Sequence, residues 1–344
     1  MKTLCVAAAA ALSFGLAAQS ASGQNVKITP VGTHPGELCD CDRATIFEDP
    51  TGGRILYDAG HSVLGADDAR LGTLHAVLLS HTHGDHIGDR RMEALGAGTC
   101  AAPTTVPAGP NSTTADIAAA KNAVLVASVD MAVFLGRKMQ NISGKPVAPC
   151  PQSAGAVNVP VAAACRSNVH LGGTITLKAP GAAQGVEITV VFASHANNVA
   201  LSLVSEPQRS QLAADGTSLV LGPPTGFVVK FSNGLVAYLS GDTGIHTEMK
   251  TVVHDFHKAN LALLNLGPNA MTALSGAYAI NDLIRPAAVI ATHPNEAVTE
   301  GGKLRPGSRT AAFLARLKPA HAAHLAISGR MLEFDGRGKC VSGC

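Results

Sequence analysis

"VLLSHTHGDHIGD", Val77 to Asp89, decides how this chain is read. Its apolar opening suits a buried strand, and behind it three histidines and two aspartates fall within nine residues. Polar side chains crowded behind a buried strand need partners, because buried polar groups left unpaired are costly. In His81-Thr82-His83, alternate residues of an extended segment face the same way, so both imidazoles can grip one ion. The chain then turns at Gly84, and Asp85 and His86 can face a second ion. Imidazole and carboxylate donors without thiolate suit Zn²⁺, and also Mn²⁺ or Fe²⁺.

Working outward, the same arrangement recurs. Asp58 follows the apolar run "RILY", His195 follows "ITVVFAS", Asp242 follows "LVAYLSG" and His293 follows "AAVIAT". Five predicted strands therefore end in a His or an Asp, and loop ends on a rigid sheet are where sites are built. A lone histidine at a strand end is ordinarily an incidental, hydrogen-bonded residue. Five such junctions are harder to dismiss. His61, Asn197, Asn198, Asn269 and Glu296 lie close by in sequence and are candidate substrate contacts or supports, whereas His254 and His257 belong on a helix surface.

Strands are expected at "NVKITPVG", "ATIFED", "RILYD", "LHAVLLS", "GTITLKA", "VEITVVFAS", "LALLNL" and "AAVIATH". "GFVVKFSNGLVAYLSGD" reads as a hairpin turned at Asn233-Gly234. Helices are expected at "HTEMKTVVHDFHK", at "SGAYAINDLIRP", and at "RTAAFLARLK" with Ser308 as its cap, before β structure closes the chain at "HLAISGRMLEF". Between about Gly96 and Gly172 the texture shifts to Ala, Pro, Ser and Thr, and this stretch reads as an insertion carrying one long helix, roughly Thr114 to Met139. Strands and helices in both halves predict two packed sheets with helices outside, in one domain covering residues 24–344.

The motif "HTHGDHIGD" resembles the His-x-His-x-Asp-His signature of the metallo-β-lactamase-fold metal-dependent hydrolases, and the order Asp58, His195, Asp242, His293 is similar too. The resemblance spans nearly the whole chain after the leader. It implies an α+β fold, a four-layer αββα sandwich with the site at one edge of its two sheets. By the same resemblance His81, His83 and His195 hold a first metal, and Asp85, His86 and His293 a second. Asp242 bridges the two, and the buried Asp58 orients the histidine loop. Within the superfamily, "LLNLGPNAMT…AYAINDLIRPAAVIATH" looks like the ascorbate-6-phosphate-lactonase-like branch.

Two divalent cations held this way make water nucleophilic near neutral pH, with Asp85 and Asp242 as the catalytic carboxylates that position it and shuttle its proton. The expected activity is hydrolysis of a lactone, ester or amide of small molecular size. A phosphodiester or phosphotriester hydrolase is the alternative, and a di-iron redox or oxygen-binding protein a more distant one. Ser80, Ser194 and Ser240, beside the junctions, are poorer nucleophiles than a hydroxide generated by metal.

Composition narrows the partners. The chain of 344 residues has a formal net charge of +2, and no basic arm or aromatic-basic interleaving marks a nucleic-acid binder. At the N-terminus, Lys2, an apolar run from Leu4 to Ala18 and then small residues have the order of a secretory signal peptide, residues 1–23, which predicts export to a periplasm or the extracellular medium. No later stretch suits a membrane span. Removal of Cys5 with the leader would leave Cys39, Cys41, Cys100, Cys150, Cys165, Cys340 and Cys344, seven in all, more suited to disulfides than to a zinc ribbon, with one thiol over. The pairing and the oligomeric state are not legible in the sequence.

Overall fold

A computed structural model describes residues 24–344; the segment read as a leader, with Cys5, lies outside them. Short runs rich in Val, Ile and Leu build two eight-stranded sheets. In the first, Arg54–Tyr57, Ala76–Leu78, Val124–Val126 and Cys165–Arg166 run parallel. Its other half is antiparallel, through Thr45–Glu48, Val26–Pro30, Leu332–Phe334 and Cys340–Ser342. In the second, Val186–Phe192, Thr225–Lys230 and Val236–Leu239 form a meander. Leu261–Asn265, Ala288–Thr292 and Ala322–Leu325 extend it in parallel. Two antiparallel steps separate Val186–Phe192 from Val236–Leu239, so these strands point the same way. The strands preceding His195, Asp242 and His293 therefore all end at one edge of the sheet.

The inner faces of both sheets share one core, in which Phe47, Tyr57, Phe227, Phe231, Leu263 and Ile290 are buried together. Phe47 stacks on Phe231 across the interface at 5.8 Å between ring centroids. A second cluster joins the outer face of the first sheet to helices Thr113–Ala120 and Val129–Ser143. A third joins the outer face of the second sheet to Met249–Phe256, Ala273–Tyr278, Ala279–Ile284 and Arg309–Leu314. Ser308 caps the last of these by accepting from the Ala311 N–H. The result is the expected αββα sandwich. Among the described residues no helix is long and apolar enough to cross a membrane.

The region read as an insertion takes a different form from the one expected. The continuous helix over Thr114–Met139 is instead two helices separated by the buried strand Val124–Val126. Asn122 breaks the first at a left-handed φ of 48°. The β-branched Val124 and Val126 then favour extended backbone. This strand and Cys165–Arg166 complete the parallel half of the first sheet, so much of the region is framework. Among the described residues, disulfides join Cys39 to Cys100, Cys150 to Cys165 and Cys340 to Cys344, and Cys41 is the thiol left over.

Candidate metal centre

The loop after Ala76–Leu78 carries His81 and His83 and then closes into a short helical turn, Gly84–Ile87, which presents Asp85 and His86. His195 and Asp242 come from the loops after two strands of the meander, and His293 from the loop after Ala288–Thr292. Asp242 needs a tight approach: Gly241 has φ 58°, and a Cβ there would lie 2.5 Å from the Thr225 carbonyl. Only glycine meets both conditions without strain. His293 itself sits at φ 48° and Asp58 at 42°, conformations that non-glycine residues hold mainly where surrounding structure imposes them.

The structure brings all seven side chains together. Ligand-capable atoms of His81, His83 and His195 lie within 4.8 Å of one another, as do those of His81, His86 and Asp242, and those of Asp85, His86 and His293. Asp242 faces both ways, its Oδ2 3.6 Å from His195 Nε2 and its Oδ1 3.4 Å from His86 Nε2 and 3.0 Å from His293 Nε2. His293 Nε2 is 3.3 Å from Asp85 Oδ2.

Behind this cluster, Asp58 accepts from the Ser80 N–H at 2.8 Å and the Ser80 hydroxyl at 2.7 Å, and its Oδ2 lies 2.8 Å from His86 Nδ1. The Ser80 hydroxyl also lies 3.0 Å from His81 Nδ1. Bonding at Nδ1 leaves Nε2 of both rings turned into the site. There His81 Nε2, His86 Nε2, Asp242 Oδ1 and both ring nitrogens of His293 are buried without a hydrogen-bond partner, since their close approaches lack hydrogen-bond alignment. Buried polar atoms are almost always satisfied. Several unpartnered ones converging from three loops are what a divalent cation would satisfy, and the imidazole–carboxylate donor set suits zinc. The residues present fit the metal.

The electrostatics agree. Burial, then the charge of His86, holds His81 well below the usual imidazole range. Burial likewise lowers His83 and His195. Burial opposes charge on His86 as well, yet Asp242, Asp85 and Asp58 together push it up to about 10. Burial also works against Asp85 and Asp242, but His86 and His293 keep both well below the usual carboxylate range. The carboxylates are thus ionised, and most of the first histidine group is neutral and ready to donate.

Among the neighbouring residues, Asn197 is buried and works as a clamp. Its Oδ1 accepts from both the N–H and the hydroxyl of Thr82 at 2.7 Å, fixing the middle of His-x-His to the His195 loop. Glu296 caps the helix Arg309–Leu314, accepting from the Arg309 and Thr310 N–H groups. Asn198 bonds Ser218, Asn269 is exposed, and His61 pairs with Asp89 at 2.8 Å. Residues without a sequence signal also belong to the site. The Tyr57 hydroxyl accepts from the Gly241 N–H at 2.9 Å, and the buried Arg43 reaches Asp85. Cavities of about 490 and 440 Å³ lie away from these residues, and the void lined by His86 and His293 holds only about 10 Å³; His81, His86, Asp242 and His293 are buried, while the side chains of Asp85 and His195 keep partial exposure.

No family model matches the chain. It is similar to proteins named UPF0173 metal-dependent hydrolases. One from Pelotomaculum thermopropionicum is 25% identical over 78% of this chain and 85% of its own length. Another, from Polynucleobacter asymbioticus, is 30% identical over 32% of this chain, which spans only 36% of that relative. Among solved structures, Igni18, described as a novel metallo hydrolase from Ignicoccus hospitalis, aligns over 90% of this chain and 99% of its own, with a TM-score of 0.55 at 19% identity. Given the paired sheets, the histidine-rich turn at their edge and the likeness to Igni18, the chain has the metallo-β-lactamase fold, and in sequence it is similar to proteins named metal-dependent hydrolases.

Proposed function

We propose that this is an exported hydrolase with a binuclear metal site, acting on a lactone, ester or amide bond in a small molecule. The observation that carries the reading is the convergence of His81, His83, Asp85, His86, His195, Asp242 and His293 with unpartnered donor atoms facing one another. His81, His83 and His195 would hold one ion, Asp85, His86 and His293 the other, with Asp242 between them. Zinc is the ion that best suits these donors. When bound, such ions supply Lewis acidity, making water nucleophilic near neutral pH and steadying negative charge that develops on the substrate.

The chain's own residues do the rest. Ser80 and Asp58 fix the ring orientations. The Asp85 side chain keeps 33% of its exposure, against 10% for Asp242. Asp85 is therefore the carboxylate placed to accept the proton of attacking water and pass it toward the leaving group. The near-neutral net charge favours an uncharged carbonyl substrate over a polyanion, and the likeness to the lactonase-like branch favours a cyclic ester. Export is supported by the order of the N-terminal residues and by three disulfides, which persist in oxidising compartments.

Elemental analysis of the purified protein should find two equivalents of metal. Turnover of a chromogenic lactone, ester and amide panel should fall by at least 100-fold with chelator or in His83→Ala. Metal-free active protein, or His83→Ala with intact turnover, would falsify the reading. Preference for phosphodiesters or phosphotriesters in the same panel would overturn the substrate class alone.

A further inference from the structure

The two groups of metal-capable residues differ in one respect that the ligand pattern does not contain. His81, His83 and His195 have no guanidinium or ammonium among their hydrogen-bond and ion-pair partners in the described residues. The other group does. Arg43, whose side chain is 4% exposed, places Nη2 3.1 Å and Nε 3.3 Å from Asp85 Oδ2. That oxygen is also the one 3.3 Å from His293 Nε2 and 3.8 Å from His86 Nε2. The guanidinium is fixed in place by the Asp40 carbonyl at 2.7 Å, by the Asp42 carbonyl at 3.3 Å and by Asn295 Oδ1, two residues past His293.

We infer that Arg43 is a positioning residue that makes the Asp85–His86–His293 site the weaker of the two metal sites, so that the protein fills them in sequence. This rests on the binuclear reading above. The physical argument has two parts. A carboxylate oxygen already accepting two guanidinium N–H groups has less electron density to give an ion. A permanent positive charge shielded from solvent beside Asp85 also repels a divalent cation with little screening. Asp85 does not depend on Arg43 for its backbone position, which the helical turn Gly84–Ile87 and the close packing of Gly60 against its carbonyl already set. Removing the guanidinium therefore relieves repulsion more than it loosens the ligand.

The test is a Zn²⁺ titration of the metal-free, full-length mature protein, followed by calorimetry and by competition with a chromogenic chelator. Wild type should show two steps at least tenfold apart in affinity. Arg43→Gln should tighten the second step at least tenfold and move the first by less than threefold. Arg43→Lys, which keeps the charge without the fork, should preserve the separation. Two wild-type steps of equal affinity, an unchanged or wider gap in Arg43→Gln, or a closed gap in Arg43→Lys would each overturn the inference while leaving the binuclear site standing. Should Arg43→Gln fail to fold, the wild-type and Arg43→Lys separations still decide. A purely structural clamp would lower the melting temperature of metal-free Arg43→Gln and leave the gap as it was. Wild type that binds fewer than two ions would sink the binuclear reading as well.

Discussion

Asp58 touches no predicted ion, yet two ligand rings depend on it. It bonds His86 Nδ1 directly and reaches His81 through the Ser80 hydroxyl. Partners of this kind orient a ligand and raise its basicity, and their loss typically costs 10–100-fold in metal affinity. Asp58→Asn, which tolerates the left-handed backbone, should weaken zinc binding by about that factor in chelator competition. His246 is a different case. Burial lowers its imidazole to about 4, and neither ring nitrogen has a partner. An unfolded histidine titrates near 6.5, so protonation favours the unfolded chain as pH falls below that value. Stability should be fully present above about pH 6.5 and fall on the way to about pH 4, by on the order of 1 kcal/mol once solvent screening of this partly exposed ring is allowed for. Urea melts across that range should show the slope, and His246→Phe should flatten it. The side chains that gather at the sheet edge were legible in the sequence because each follows an apolar strand. Arg43, Asn197 and Asn295 were not. Their roles are set by contacts up to 252 residues away along the chain, which no local pattern encodes.

Among elements, the strand ends were legible and the region after Gly96 was not. A three-residue buried strand such as Val124–Val126 has no periodicity of its own, and beside Ala-rich flanks it reads as more helix. What betrays it is the parallel pairing with Ala76–Leu78, a tertiary fact. The outermost strand of that sheet, Cys165–Arg166, is tied to Cys150 across a sequence separation of 15 residues. Closing a loop of that size restricts the unfolded chain by ~3 kcal/mol. Replacing both Cys150 and Cys165 with Ser should therefore lower stability by about that amount in chemical denaturation. Metal stoichiometry should not change, because Val124–Val126 lies between Cys165–Arg166 and Ala76–Leu78 in the sheet, and the loop after Ala76–Leu78 holds to the second sheet through Thr225, whose N–H and hydroxyl both donate to the Ser80 carbonyl.

At the scale of the molecule, sandwich and site have one origin. Each sheet runs its ligand-bearing strands toward a common edge, and the shared core fixes the distance between those edges. Tyr57 shows the coupling. Its ring packs edge-on against Phe227 of the opposite sheet, and its hydroxyl receives the N–H of Gly241, next to Asp242. Strands and helices in both halves of the sequence pointed to two packed sheets, and the family resemblance implied the site at their edge, but neither showed which core residues register one sheet on the other. His81, His83, Asp85 and His86 belong to one sheet, and His195, Asp242 and His293 to the other. A cation gripped between them, as proposed above, would also be a rivet across the seam of the sandwich, available only to the assembled protein. Thermal resistance should then track ion supply: at a thousandfold excess over its dissociation constant, zinc should add ~4 kcal/mol, visible by scanning calorimetry as a melting point that climbs with concentration. Scarcity of metal in the surroundings would cost this protein its endurance along with its chemistry.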